Sequence, residues 1–431
     1  MVYRSHYSEE LLSEKKGEEV TVAGWIEDIR PLGSLIFMTI RDKTGVSQAV
    51  FNKKSTPGEV FSSARNVQRQ SIVSVKGILK EGKGKDIPVE IQAEVIQFLS
   101  ESVHPLPLDP TGRVKTLIDA RLDARALDLR NPKIMAVFKI RHTALQSIRR
   151  TLSDEGFLEV NTAKIIGQAA EGGANLFPFE YFGKEAFLAQ SPQLYKEQLT
   201  MSLDRVFEIG SYYRAEKSHT NRHLNEFISV DIEAAFFEKE DVMNTAEKMV
   251  ENAVKDVVEN CAGDLQTLEH RVKVPKRPFP KVKYTQAIKE LKKEGADIKD
   301  GEDLKDSDLR VLGGIHPEYY WIVDWPAGLK PFYIARTADG KSALSFDLQY
   351  GYLELASGGR RVSDRKELER RLLESGLILE SFESHLKVFQ WGMPPHSGWG
   401  FGLDRFIMVL TGMKNIREAV LYPRDQFRLT P

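Results

Sequence analysis

Residues 205–237 read RVFEIGSYYRAEKSHTNRHLNEFISVDIEAAFF, two apolar runs on either side of a polar loop. The loop holds Tyr213-Arg214-Ala215-Glu216 and Arg222-His223-Leu224-Asn225-Glu226-Phe227. This pattern predicts two neighbouring strands that present Arg, His and Glu on a sheet surface. Arginine suits phosphate because its planar group donates two parallel hydrogen bonds, and a phenylalanine can stack on a base. A solvated hairpin with surface ion pairs is the alternative.

A second segment, residues 397–405, reads SGWGFGLDR and is followed by the apolar run FIMVL. Glycine at every second position leaves one face of a strand bare, so a flat ligand can lie against the backbone. Arg405 then falls at the start of a helix, where it would face a phosphate. A plain glycine-weakened edge strand remains possible.

Two further segments carry weaker signals. Residues 170–177, AEGGANLF, are small enough to form a mobile flap, although an ordinary turn explains them equally well. Asp347 and Glu354 are an odd number of residues apart, so only two strands or a bend would bring them together. With Ser357 they offer the hard oxygen ligands that Mg²⁺ prefers, and an acidic pair capping turns is the alternative.

The N-terminal region is predicted to be all-β. Five short strand-like runs occupy about 80 residues, which favours a small barrel of the oligonucleotide-binding type, with a sandwich fragment or an SH3-like barrel as alternatives. The boundaries predicted from these signals are a barrel at 1–103, a linker at 104–131 that holds the proline-rich stretch HPLPLDPTG, and a second domain at 132–431. Asn131-Pro132 should start a helix that ends at Gly156. The Lys/Glu-rich part at 262–340 resembles an inserted subdomain.

Composition excludes several classes of protein. The 61 basic and 62 acidic side chains nearly cancel, so the strong basic field of a nonspecific nucleic-acid binder is absent. The single cysteine excludes a disulfide framework and suits a reducing cytoplasm. No signal pattern and no uncharged apolar run of about 18 residues occurs, so no membrane association is expected.

Taken in order, these segments resemble class II aminoacyl-tRNA synthetases, and among them the archaeal-type aspartyl-tRNA synthetases. YRAE…RHLNEF resembles motif 2 of that family, GWGFGLDR resembles motif 3, and EGFLEVNTAKII (155–166) resembles motif 1. The resemblance implies an α+β fold, with an antiparallel sheet flanked by helices and an N-terminal OB-fold barrel that reads the anticodon. It also implies a homodimer, built largely on motif 1.

The resemblance implies roles for individual residues on the ATP side. Arg214 would bind the α-phosphate and stabilise the charge developing there. Arg405 would hold the γ-phosphate, and Phe227 would stack on adenine near Glu216. His223, Leu224 and Glu354 would complete the ATP site, and Mg²⁺ would be held by Asp347, Glu354 and Ser357. No side chain has to act as a nucleophile, because the enzyme positions and neutralises the substrates.

The same resemblance implies recognition of L-aspartate. Lys196 and Arg361 would face the side-chain carboxylate, and the remaining contacts would come from Glu171, Gln193, Asp231 and Ser357. Asparagine would leave both cations without an anionic partner, at a cost of several kcal/mol. Asparaginyl enzymes lack the lysine of QSPQLYK, and lysyl enzymes need acids, so the pair of cations favours aspartate.

In the barrel, Arg30, Phe37 and Gln48 match family positions that touch anticodon bases, although Phe37 could equally belong to the barrel core. The expected RNA partner is tRNA(Asp), with tRNA(Asn) as a second candidate that depends on contacts around Glu27 and residues 83–86. Three positions depart from the family pattern: Ala163 replaces a proline, Ala170 replaces a threonine, and Val362-Ser363 replaces a charged residue and a histidine.

Two other functions fit parts of the sequence. A related ligase would make asparagine through an adenylate without tRNA, but such an enzyme needs no anticodon-reading barrel. A catalytically inactive, synthetase-like RNA-binding protein would be expected to lose some of the residues Arg214, Glu216, Asp347, Glu354 and Arg405, and all five are present.

Overall fold

The computed structural model describes residues 3–84, 87–167, 176–217 and 220–431. Two compact units divide the chain, Met1–Ala120 and Arg121–Pro431. Within the described residues no helix is both long and apolar enough to span a lipid bilayer.

The first unit is a closed five-stranded barrel with strand order β1-β2-β3-β5-β4. Residues 36, 38 and 40 of the second strand point inward, and the residues between them lie on the outer face. The barrel expected from the sequence is therefore confirmed. The barrel strands and the helix between the third and fourth of them are β1 (Glu19–Leu32), β2 (Leu35–Arg41), β3 (Val46–Asn52), α1 (Gly58–Asn66), β4 (Ile72–Gly84) and β5 (Ile87–Ser100).

The second unit is built on an eight-stranded sheet in the order β12-β13-β14-β15-β16-β11-β10-β6. Neighbours pair antiparallel except at the two edges, where β12 with β13 and β10 with β6 are parallel. These strands are β6 (Leu158–Glu159), β10 (Arg205–Tyr213), β11 (Glu226–Ala235), β12 (Lys281–Lys283), β13 (Tyr319–Val323), β14 (Ser345–Tyr350), β15 (Leu353–Arg360) and β16 (His396–Gly402). A small sheet holds β7 (Ile165–Ile166), β9 (Lys184–Leu188) and β8 (Pro178–Tyr181).

Helices accompany this sheet, as the α+β class requires. Asn131 caps the helix that starts at Pro132, and its side chain accepts a hydrogen bond from the backbone N–H of Lys133, as the sequence predicts. The helices are α2 (Ile118–Asp123), α3 (Arg125–Asp128), α4 (Pro132–Asp154), α5 (Gln193–Leu203), α6 (Lys239–Asn260), α7 (Ala262–Thr267), α8 (Tyr284–Lys293), α9 (Asp306–Ile315), α10 (Arg365–Glu374), α11 (Glu383–Val388) and α12 (Leu403–Thr411).

The main core lies between the sheet and helices α4, α6 and α12. Ile140 and Ile148 of α4 and Val250 of α6 join Ile232 and Trp399 of the central strands in one fully buried cluster. Burying each large apolar side chain contributes about 1.5–3 kcal/mol, so this cluster makes the central strands a rigid platform. The site described below rests on the opposite, polar face of those strands.

Residues 262–340, expected from the sequence to form an inserted subdomain, are joined to this sheet. They supply the edge strands β12 and β13, and helices α8 and α9 pack on them through a separate apolar cluster that includes Ile288, Leu312 and Ile322. The segment thus extends the sheet and also carries a small core of its own.

Candidate active site

A cavity of about 380 Å³ lies on the sheet of the second unit, over strands β10, β11, β15 and β16. Most of the residues predicted from the sequence to bind ATP or aspartate line it. They are Gln193, Arg214, Glu216, His223, Leu224, Phe227, Asp231, Glu354, Ser357, Arg361 and Arg405. Lys196 and Asp347 are buried and do not line the cavity, and Glu171 and Ala170 of the expected flap lie outside the described residues.

One part of the cavity concentrates positive charge. The side chains of Arg214, Arg222 and Arg405 all line it, and the guanidinium of Arg214 lies 5.2 Å from the ring centroid of Phe227. Burial lowers the pKa of Arg405, and the charges of the other two arginines lower it further, although Glu354 opposes them. Cations held this close together are stabilised by an anion, so this part of the cavity suits a polyphosphate.

The start of helix α12 is fixed by a buried carboxylate. Asp404 accepts a hydrogen bond from the backbone N–H of Ile228 at 2.9 Å and another from Arg141 Nη1 at 2.6 Å. The next residue, Arg405, donates from Nη1 to the backbone oxygen of Glu354 at 3.0 Å. The guanidinium is therefore held against the sheet before any ligand binds, which limits the ordering cost of binding.

The loop after β10 brings His223 to the same region. Its Nδ1 lies 2.6 Å from Thr220 Oγ1, and burial together with the charge of Arg405 lowers the pKa of the imidazole. Arg222 forms an ion pair with Asp306 of helix α9, and its guanidinium lies 5.4 Å from the ring centroid of Tyr352. The part of the loop that the structure describes is thus tied to α9.

The two predicted metal-binding carboxylates lie on adjacent strands. Asp347 of β14 is directly opposite Ser357 of β15, and Glu354 follows the tight turn between these strands. Burial raises the pKa of Glu354, and the neighbouring charge of Asp347 raises it further. Lys330 Nζ lies 2.6 Å from Asp347 Oδ2, while the buried Oδ1 has no hydrogen-bond partner within the described ranges.

This arrangement fits a divalent cation that completes its coordination elsewhere. Two mutually repelling carboxylates with an unpaired buried oxygen are stabilised by a hard cation. No group of three or more His, Cys, Asp or Glu residues with metal-binding geometry occurs in residues 3–84, 87–167, 176–217 and 220–431. The other ligands would therefore come from Ser357, water or phosphate oxygens.

Two buried cations pair with two buried carboxylates beside the cavity; Asp231 and Arg361 line it, whereas Lys196 and Glu233 do not. Lys196 Nζ lies 3.0 Å from Asp231 Oδ1 and 3.5 Å from Glu233 Oε2, and it also donates to the backbone oxygen of Trp399. Arg361 donates from Nε and Nη2 to the two oxygens of Glu233 at 2.9 and 3.2 Å. Both cations predicted to bind aspartate thus converge on Glu233.

The alternating glycines of β16 make room for these carboxylates. In the register of β11 with β16, Asp231 is opposite Gly400 and Glu233 is opposite Gly398. A Cβ at Gly398 would overlap the Glu233 carboxylate, and a Cβ at Gly400 would stand 3.0 Å from Asp231 Oδ1. The glycines predicted to expose backbone to a flat ligand also admit the acidic side chains of the neighbouring strand.

One expectation from the sequence is wrong. Asparagine does not leave Lys196 and Arg361 without any anionic partner, because Asp231 and Glu233 of the chain itself already pair with both. Sequence alone did not reveal these pairs because strand register and side-chain packing bring them together. Asp231 Oδ2, however, is buried and has no hydrogen-bond partner among the residues described.

In the first unit, the three predicted anticodon residues share the outer face of the barrel. Arg30 of β1 is opposite Phe37 of β2, and Thr39, two residues along β2, is opposite Gln48 of β3. Phe37 is half-buried on this outer face, so its alternative assignment to the barrel core is wrong. The side chain of Arg30 is 72% exposed, and Gln48 Nε2 donates to Glu90 at 3.2 Å.

Comparison with known proteins identifies the family to which the chain belongs. Residues 118–426 match the family described as tRNA synthetases class II (D, K and N), and residues 20–99 match the OB-fold nucleic acid binding domain. The chain belongs to the class II tRNA synthetases. Two curated relatives are aspartate–tRNA(Asp/Asn) ligases. The Methanothermobacter thermautotrophicus ligase is 46% identical to this chain, and the match covers 99% of this chain and 98% of the ligase. The Archaeoglobus fulgidus ligase is 43% identical, and the match covers 99% of both chains.

Solved structures agree on the fold. The asparaginyl-tRNA synthetase of Pyrococcus horikoshii, complexed with asparaginyl-adenylate, matches with a TM-score of 0.94 and 32% identity over the whole of both chains. An aspartyl-tRNA synthetase from Entamoeba histolytica matches with a TM-score of 0.87 and 28% identity over 99% of this chain and 92% of its own. Since both kinds of synthetase share the fold, the amino acid must be inferred from the site of this class II synthetase.

Sequence reasoning missed several residues of the synthetase site. Glu233 is the most important, because it pairs with both cations; its spacing of two from Asp231 on a strand was the available signal. Lys330 and Tyr333 also line the cavity, and they come from a connection with no strand or helix periodicity. No local pattern could have identified them.

Proposed function

We propose that this class II synthetase activates L-aspartate with ATP and transfers it to the 3′-terminal adenosine of tRNA(Asp), with tRNA(Asn) as a second candidate. The curated relatives are named aspartate–tRNA(Asp/Asn) ligases, which supports both tRNAs. The observation that carries the choice of amino acid is the buried group of Lys196, Arg361, Asp231 and Glu233.

The choice of amino acid follows from a count of charges. In the free site two cations, Lys196 and Arg361, face two carboxylates, Asp231 and Glu233. The α-ammonium of the substrate would pair with the unpartnered Oδ2 of Asp231, which gives three cations against two carboxylates. The α-carboxylate faces the α-phosphate and Arg214, so it is not part of this count. The side-chain carboxylate of aspartate then gives three charges of each sign, whereas asparagine leaves one cation unpaired at a cost of several kcal/mol.

Activation forms a mixed anhydride. An oxygen of the aspartate α-carboxylate attacks the α-phosphorus, the bond to the bridging oxygen breaks, and pyrophosphate leaves. Arg214 is proposed to stabilise the charge on the α-phosphate, and Arg405, with His223 nearby, to hold the outer phosphates. Adenine would stack on Phe227, beside Leu224 and Glu216, in the cavity that all of these residues line.

Transfer then releases AMP. A ribose hydroxyl of the terminal adenosine attacks the carbonyl carbon of the anhydride, the bond from that carbon to the phosphate oxygen breaks, and the hydroxyl proton passes to the departing phosphate or to water. The geometry of the cavity contributes by positioning the two reacting groups rather than by supplying a nucleophile. The flap residue Glu171 is proposed to cover the bound amino acid, and Gln193 is proposed to accept a hydrogen bond from its ammonium group.

Mg²⁺ is proposed to bind to Asp347, Glu354 and Ser357. When bound, it would neutralise phosphate charge, and it would also relieve the repulsion that raises the pKa of Glu354. Lys330, at 2.6 Å from Asp347, supplies a fixed positive charge at the same place. The carboxylates therefore suit a metal–ATP complex better than a free metal ion.

Three further proposals concern the barrel, the oligomeric state and the cellular location. The barrel face with Arg30, Phe37 and Gln48 is proposed to read the anticodon, since an exposed guanidinium beside an aromatic ring suits unstacked bases. A homodimer is proposed through the motif 1 segment, in which Leu158 and Ile165 are about half exposed. A cytoplasmic location is proposed from the single cysteine and the nature of the tRNA substrate.

Aminoacylation of purified tRNA(Asp) and tRNA(Asn) with labelled aspartate tests this proposal. Labelled ester on tRNA(Asp) is the expected result, and charging of tRNA(Asn) would show that both tRNAs are substrates. Labelling of neither tRNA, while asparagine or lysine is esterified, would overturn the assignment.

A further inference from the structure

A buried carboxylate and two imidazoles lie directly beneath the amino-acid end of the cavity. Glu197 of α5, His385 of α11 and His396 of β16 are all 1% exposed or less. Glu197 Oε2 lies 3.5 Å from His385 Nε2 and 3.6 Å from His396 Nε2. None of the steps described above uses these three groups, and burying them without a purpose would be costly.

The carboxylate also holds a residue of the cavity. Gln193 lies one helical turn before Glu197, and its Nε2 donates to Glu197 Oε1 at 2.5 Å. An ionised carboxylate only accepts hydrogen bonds, so the amide of Gln193 must turn its nitrogen toward Glu197. Its carbonyl oxygen is then left to face the cavity that Gln193 lines. A carbonyl oxygen attracts an ammonium group, whereas the NH₂ end of the same amide repels it.

We propose that Glu197, kept ionised by His385 and His396, is a positioning residue that fixes the Gln193 amide for recognition of the substrate α-ammonium group. This inference rests on the proposed activation of aspartate. It adds a residue that does not touch the substrate but holds one that does. A protonated Glu197 could donate to the Gln193 carbonyl, and the amide would then be free to turn its NH₂ end toward the substrate.

The hydrogen bonds of the imidazoles support this role. His396 Nδ1 lies 2.8 Å from the backbone oxygen of Pro394, so it carries a proton, and Nε2 can face a carboxylate favourably only in the doubly protonated ring. His385 Nδ1 lies 3.2 Å from Gln198 Nε2, whose amide can donate to it and leave the proton on the ring nitrogen nearest Glu197.

The charges of the network favour an ionised Glu197 and a protonated His396. Burial alone would raise the pKa of Glu197, but the two imidazoles outweigh burial and hold it below its usual range. Burial alone would lower the pKa of His396, but Glu197 and then Glu233 outweigh burial and hold it above its usual range. Two cations also lie near the network in the part of the chain that the structure describes: Arg361, whose own pKa Glu197 helps to raise, and Lys196 of the same helix, which pairs with Glu233. Both favour an ionised Glu197 and oppose the imidazolium of His396.

The sign of the pH effect follows from these directions. Because the pKa of His396 is raised in the folded protein, the imidazolium persists to a higher pH than that of a free imidazole and is lost as the pH rises through the raised value. The lone pair of Nε2 would then face the Glu197 carboxylate, and the repulsion between them would move the carboxylate away from the Gln193 amide. Binding of aspartate should therefore weaken on the alkaline side, while binding of ATP should be unaffected.

The test is aspartate-dependent exchange of pyrophosphate into ATP, measured between pH 7 and 9 for the wild-type chain and for Glu197→Gln. Loss of a charge-assisted hydrogen bond should raise the KM for aspartate about tenfold or more and leave the KM for ATP within about twofold. The alkaline rise in the aspartate KM should be present in the wild type and absent in the variant. Glu259→Gln, at a 57% exposed position on α6, is the matched control.

Two further measurements keep the inference testable if Glu197→Gln does not fold. His385→Gln should raise the KM for aspartate in the same direction by a smaller factor, and the wild-type pH profile needs no variant. Equal changes in both KM values, or a flat wild-type profile for aspartate, would overturn the positioning role. If the wild type exchanged with a different amino acid, the proposed function would fail, and Glu197 could still be tested on that substrate.

Discussion

Replacing Lys196 with methionine tests the charge count that underlies the choice of aspartate. The side chain keeps its length and loses its charge, in a place where Lys196, Asp231 and Glu233 are 3%, 5% and 0% exposed. Solvent screening, which makes surface ion pairs nearly worthless, is therefore absent here. With aspartate bound, the variant has two cations, Arg361 and the substrate ammonium, against three carboxylates. With asparagine bound, it has two of each.

The size of the effect follows from this imbalance. Leaving one buried charge without its partner costs about 3 kcal/mol or more, which corresponds to about 100-fold in a specificity constant. Lys196→Met should therefore lower kcat/KM for aspartate by about 100-fold and lose the preference for aspartate over asparagine. The free protein loses a buried pair as well, so its melting temperature should fall.

The assay is pyrophosphate exchange with each amino acid in turn, on protein shown by thermal melting to be folded at the assay temperature. Lys255→Met, at a 60% exposed position on α6, is the matched control and should change neither substrate. A folded Lys196→Met variant that still preferred aspartate as strongly as the wild type would refute the reasoning. Lys196 would then only stabilise the folded protein, and the preference for aspartate over asparagine would depend on other residues.

Other parts of the site give independent predictions. Arg405→Gln should reduce exchange by about 100-fold because a pre-positioned phosphate donor is lost, and unchanged activity would remove Arg405 from the ATP site. Asp347→Asn should raise the Mg²⁺ concentration for half-maximal exchange about tenfold, and an unchanged Mg²⁺ titration would contradict that role. Phe37→Ala should weaken tRNA binding by about 1–3 kcal/mol and leave exchange unaltered, with Phe98→Ala on the same barrel as the control. Gly398→Ala should lower both the melting temperature and kcat/KM for aspartate, since the new methyl group would overlap the backbone oxygen of Ile232 and the Glu233 carboxylate; an unchanged specificity constant would show that this carboxylate tolerates movement.

Local patterns were enough to predict much of the fold. Alternation along β2 and the turn residues between the runs specify the five barrel strands, and the Asn131-Pro132 pair specifies the start of α4. The same alternation would have placed Phe37 outside the barrel, since Ile36 and Met38 take the inner positions. The periodicity of β2 alone therefore excludes Phe37 from the barrel core.

The features that could not be predicted are contacts between residues far apart in the sequence. The pairing of Arg361 with Glu233 joins residues that are 128 positions apart, and that of Arg222 with Asp306 spans 84. Such pairs depend on strand order and register, which one sequence does not reveal. The neutral balance of the amino-acid site, and the carboxylate–imidazole network beneath it, became visible only when the strands and helices were assembled.

Pyrophosphate exchange by the wild-type chain, with aspartate and asparagine compared at equal concentrations, tests the central claim most directly. The charge balance predicts rapid exchange with aspartate and a specificity constant for asparagine lower by about 100-fold or more. Exchange with asparagine within a few-fold of that with aspartate would contradict the account, because a pocket with one unmatched cation cannot accept a neutral amide so readily.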